Sequence, residues 1–65
     1  MFKDGHAFAI ALAVIGDEVD GHFESRAANV VDDDGNTTGY RLSWHHEDLS
    51  VIKEVTVNAD GSVEQ

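Results

Sequence analysis

The segment Asp32-Asp33-Asp34-Gly35-Asn36 constrains this chain more than any other, because it places a tight turn at the middle of the sequence. Asp-Gly is the preferred pair for a type I′ hairpin, since both residues tolerate positive φ. A second turn is expected at Asn58-Ala59-Asp60-Gly61, and a third is bracketed by Gly16 and Gly21. Only short segments remain between these breaks, and short segments that alternate read as strands. In Thr38 to His46, Tyr40, Leu42 and Trp44 share one face while Arg41, Ser43 and His45 share the other. His22 to Val31 reads as the strand before it. Val51 to Val57 reads as the strand after it, because β-branched residues dominate there. Ser62-Val63-Glu64 can add a brief edge.

The run Ala7-Phe8-Ala9-Ile10-Ala11-Leu12-Ala13-Val14 alternates small and large apolar residues. Alanine favours helix, but period two is the signature of a strand. On that reading Phe8, Ile10, Leu12 and Val14 join Tyr40, Leu42, Trp44, Val55 and Val57 as the core. The alanines then form a second face that another element approaches closely. The expected fold is all-β, one antiparallel sheet of 4–5 strands in a meander. The alternative is α+β, with one short helix near 46–54 where Leu49, Ile52 and Val55 have helical spacing. A chain of 65 residues cannot cover both faces of a sheet well, so the uncovered face predicts a covering helix or a homodimer.

Residues 1–65 are expected to form a single small domain, too short for a wide catalytic cleft or a dinucleotide-binding fold. Met1-Phe2-Lys3 and the apolar run loosely imitate a signal peptide, but Asp4 and His6 interrupt the positive region. The run is also about half the length that spans a bilayer. We read it as part of the fold, with no membrane partner and a cytoplasmic location. The absence of cysteine fits that compartment and leaves no disulfide, thiolate metal site or cysteine nucleophile.

Candidate chemistry is sparse. Asp32, Asp34, Asn36 and Thr38 have the odd spacing of a calcium loop, but Thr37 and Ser43 occupy the positions that need glycine and a bidentate glutamate. His45 and His46 are adjacent, so on a strand they point to opposite faces and do not share a metal easily. The serines lack a recognisable nucleophile context, and the carboxylates fall mainly in turns. The expectation is a non-enzymatic chain without metal or cofactor.

The charge is the feature that asks for an explanation. Thirteen acidic residues against four basic ones leave a net −9, which excludes a direct hold on nucleic-acid phosphate. It also exceeds the magnitude of roughly 2–8 that keeps a small domain soluble. Three clusters carry much of it: Asp17, Glu18 and Asp20; Asp32, Asp33 and Asp34; Glu47 and Asp48. These are the candidate partner-binding residues. In size, charge and lack of a catalytic motif the chain is similar to phage-encoded inhibitors such as DNA mimics and anti-CRISPR proteins. That resemblance implies a viral inhibitor whose acidic face occupies the basic, nucleic-acid-binding groove of a partner protein. The chain also resembles haloarchaeal proteins, which are acidic and lysine-poor. That resemblance implies a small β domain whose acidity is salt adaptation.

Overall fold

A computed structural model describes residues Met1–Gln65. Helix α1 spans Asp4–Ile15 and runs into a 3-10 turn at Gly16–Val19. Four strands follow: β1 Glu24–Val31, β2 Thr37–His45, β3 Val51–Asn58 and β4 Val63–Glu64. They form one antiparallel sheet in the order β1-β2-β3-β4. The expected meander is present. Its helix precedes the sheet, whereas 46–50 is a tight turn and Val51–Asn58 is strand. No helix is long and apolar enough to cross a membrane.

The N-terminal run is therefore helix and not strand. Its four alanines favour that state locally, and the sheet supplies the tertiary reason. Leu42, Trp44, Val55 and Val57 project from one face of β2 and β3 and need cover. Ala7, Ala11 and Ile15 recur every four residues, form one stripe on α1 and seal that face. All three are at most 1% exposed. Alanine at the contact lets the helix axis come close to the indole and isobutyl groups beneath it. Val19, at the end of the 3-10 turn, closes the same core.

The four large residues of the run scatter around the helix. Phe8 and Ile10 are half-buried, with the Phe8 ring edge-on to Trp44 at 5.7 Å. Leu12 and Val14 are 41% and 54% exposed and leave the core list. Tyr40 is half-buried, and its hydroxyl donates to the Phe2 carbonyl at 2.7 Å, tying the N-terminus to the sheet. The single alanine face expected of a strand does not exist. Ala7 and Ala11 face the sheet, while Ala9 and Ala13 face solvent.

All three hairpins use one turn geometry. In each, the first residue of five bonds through its N–H to the carbonyl of the fifth, and its own carbonyl accepts from the fourth. The pairs are Asp32 and Asn36 (2.9 Å) with Gly35 (3.0 Å), His46 and Ser50 (2.9 Å) with Leu49 (2.8 Å), and Asn58 and Ser62 (2.8 Å) with Gly61 (2.9 Å). The fourth residue is left-handed in every case, at φ 83° for Gly35, 71° for Leu49 and 87° for Gly61. This is a type I turn closed by a left-handed residue. It is not the type I′ turn expected from Asp34-Gly35, in which both central residues take positive φ.

Leu49 alone meets this demand with a side chain. A left-handed leucine costs roughly 1–2 kcal/mol, and Leu49 is 50% exposed, so it recovers little by packing. Leu49→Gly should therefore stabilise the protein by about 1 kcal/mol, after the greater flexibility of glycine in the unfolded chain is set against the relief of strain. Chemical denaturation of the two proteins measures this. A loss of stability would mean that Leu49 packs usefully.

Candidate functional site

The meander fixes where each acidic cluster lies. β1 enters the sheet with Glu24 opposite His45, so the segment before β1 and the β2–β3 turn share one end of the sheet. Phe23 N–H donates to the His45 carbonyl at 2.8 Å at this junction. Asp17, Glu18 and Asp20 thereby gather with Glu47 and Asp48, nearly thirty residues away in sequence. All five are exposed. Lys53 reaches this end and pairs with Glu18 at 3.2 Å.

Asp32, Asp33 and Asp34 lie in the β1–β2 hairpin at the opposite end, beside the β3–β4 turn that carries Asp60. Nine residues of β2 put about 26 Å between the two ends, within a molecule measuring 36 × 22 × 18 Å. The eight candidate carboxylates thus form two acidic poles and not one continuous face.

Each turn organises its own carboxylate. Asp48 Oδ1 accepts from the Ser50 N–H at 2.9 Å and the Ser50 hydroxyl at 2.6 Å. Asp60 repeats this on Ser62 at 2.9 and 2.6 Å. Asp32 Oδ1 accepts the N–H groups of Asp34 and Asn36, both at 2.9 Å. The hydroxyl bond, then the backbone bond, holds Asp48 and Asp60 below the ordinary aspartate range; His46 adds a smaller attraction at Asp48, and slight desolvation opposes it in both. The Asp-x-Ser spacing, present twice, was the sequence signal for this repeated turn.

A carboxyl whose folded pKa is depressed contributes stability above its unfolded pKa, about 3.9. That contribution is lost as pH falls through the lower folded value. Ser50→Ala and Ser62→Ala remove the larger cause, so the Asp48 and Asp60 titrations should move upward and acid unfolding should begin at higher pH. NMR titration of the carboxyl carbons checks both; unchanged midpoints would mean the hydroxyl bonds contribute nothing in solution.

The face of the sheet away from α1 carries a different chemistry. Arg26, Ser43 and Glu54 lie in one row across β1, β2 and β3, with Arg41 and His45 on either side of Ser43. These residues with Ala27 and Ala28 line a shallow groove of about 330 Å³. Both arginines of the chain lie here, and each has a carboxylate neighbour. Arg26 Nη2 meets Glu24 at 2.6 Å and Arg41 Nε meets Glu54 at 3.9 Å.

His45 is 7% exposed and fully bonded. Its Nδ1 is 3.1 Å from the Leu49 carbonyl, which can only accept, so Nδ1 carries the proton. Nε2 then accepts from the Ser43 hydroxyl at 2.8 Å. A serine bonded to an imidazole has the connectivity of a nucleophile and base. Here the backbone N–H groups around Ser43 belong to the sheet ladder, and none is aimed above it to hold an oxyanion. Through the His45 ring, Ser43 of β2 is linked to the Leu49 carbonyl of the β2–β3 turn. His45 is buried in this way, while its neighbour His46 is exposed.

Comparison with protein-family models, curated proteins and solved structures finds no match to this chain.

Proposed function

We propose that this chain is a non-enzymatic interaction protein whose acidic pole at Asp17, Glu18, Asp20, Glu47 and Asp48 engages a basic protein surface of the kind that holds nucleic-acid phosphate. The convergence of five exposed carboxylates from two sequence-distant segments carries this reading. Asp17 and Glu18 sit on the 3-10 turn, Asp20 directly after it, and Glu47 and Asp48 in a hydrogen-bonded hairpin, so little ordering entropy opposes binding. Opposed charges across such an interface also accelerate encounter. Inhibition of a nucleic-acid-binding protein follows, because one groove does not hold two polyanions.

Displacement of a fluorescent oligonucleotide from a basic nucleic-acid-binding protein of the host tests this. The wild type should displace it. Asp17→Asn, Glu18→Gln, Asp20→Asn and Glu47→Gln combined should weaken displacement by about tenfold or more, with Asp48 retained because it holds the turn. The same loss on neutralising Asp32, Asp33 and Asp34 would remove the assignment to this pole.

One observation favours a second reading, salt adaptation of a small domain. Asp32, Asp33, Asp34 and Asp60 place comparable acidity at the far end. Under that reading the chain is unfolded at about 0.1 M salt and folds as screening tightens towards molar salt. Circular dichroism across that range separates the two: folding only in molar salt would sink the inhibitor reading.

A further inference from the structure

We propose that β1 pairs antiparallel with β1 of a second copy about a two-fold axis at Ala27, joining two sheets into one of eight strands. β1 is an edge strand of eight residues, whereas the opposite edge, β4, has two. Long edges are ordinarily blunted by proline, charged side chains (lysine above all), a bulge or a covering element. Of these β1 has only Glu24 and Arg26, which bond each other. The sequence contains no proline, and β1 contains no lysine. At the register shift with β2 the extra residue is Thr38, so β1 itself is uninterrupted. The helix lies over β2, β3 and β4, and Ser25 to Asn29 are all exposed.

β1 is self-complementary in one register, which points to a second copy as the occupant. A two-fold axis through Ala27 sets Ala27 opposite itself, Arg26 opposite Ala28, Ser25 opposite Asn29 and Glu24 opposite Val30. It also brings Phe23 opposite Val31, twice. Phe23 and Val31 are 61% and 57% exposed, and this pairing shelters both. An axis through Arg26 would instead set two arginines face to face, and one through Ala28 would set Asp32 against Glu24. Like charges directly opposite disfavour both; the Ala27 axis opposes none between residues 23 and 31 and meets them only beyond the strand, where Asp20 approaches Asp34. The strand is itself neutral, since Glu24 and Arg26 bond each other. The antiparallel arrangement brings each copy's Asp32–Asp34 pole towards the other's Asp17–Asp20 pole, so association strengthens with salt.

Sedimentation of the full chain at up to about 1 mM, in about 0.1 and about 1 M salt, tests the proposal. The wild type should dimerise, more tightly at the higher salt. Ala27→Glu and Ala27→Lys should each weaken the dimer by up to about fivefold by setting like charges opposite. An equimolar mixture of the two should restore it. Ala27→Cys, the sole cysteine in that protein, should form an intermolecular disulfide, because opposed residues of an antiparallel pair fall within the span of that bond. Ser25→Cys should not. A folded wild type that stays monomeric at 1 M salt would overturn the proposal. So would an Ala27→Glu dimer as tight as wild type, or, should that variant fail to fold, absence of the Ala27→Cys cross-link.

Discussion

Ala11→Glu should abolish the fold, while Ala13→Glu leaves it intact. Ala11 has no exposed surface and sits in the stripe that seals Leu42, Trp44, Val55 and Val57. A glutamate there drives a methylene and a carboxylate into a contact built for a methyl group. The carboxylate loses its water and gains no cation, a loss of at least about 4 kcal/mol when overpacking is added. A chain of 65 residues has total stability of roughly 3–10 kcal/mol, so most of Ala11→Glu should be unfolded at neutral pH. Ala13 is exposed on the far side of α1, and a glutamate there costs a few tenths of a kcal/mol at most. The pair also distinguishes helix from strand. Residues 11 and 13 share a face in a strand and lie about 200° apart around a helix. Far-ultraviolet circular dichroism and amide-proton dispersion would show the difference. Equal damage from both substitutions would overturn the helical packing.

Trp44→Ala should remove about 3–5 kcal/mol, the ordinary effect of emptying a large aromatic site. Trp44 is the largest fully buried side chain, at 1% exposure, and supports the half-buried Phe8 ring from below. Its loss opens a cavity between α1 and β2, and a helix of twelve residues is too short to hold its shape without that contact. Circular dichroism is the suitable probe, because the substitution removes the only tryptophan. Trp44→Phe should retain a cooperative transition at lower temperature. A near-wild-type Tm for Trp44→Ala would take the indole out of the core.

Local chemistry was enough to place two of the three hairpins. Asp-Gly at 34–35 and 60–61 marked them, whereas Leu49, Ile52 and Val55 left a helix near 46–54 open beside the strand from Val51 that the structure contains. Strand alternation then assigned Leu42, Trp44, Val55 and Val57 to the core face, because the period of a strand is fixed by its own backbone. The composition of the acidic clusters was equally plain in the sequence, since charge needs no fold to be counted.

Tertiary structure decided the rest. Ala7 to Val14 satisfies a strand by period and a helix by propensity. Nothing within eight residues ranks those two, and the choice fell to the uncovered face of a sheet thirty residues away. Ala7, Ala11 and Ile15 became core because they are small enough, at every fourth position, to bring a helix down onto Trp44. The same dependence governs the acidic residues. Asp17 to Asp20 meet Glu47 and Asp48, and part from Asp32 to Asp34, only because antiparallel pairing sends alternate turns to opposite ends of the sheet. A strand's period is a local property, whereas the grouping of its turns is a property of the order in which strands pair.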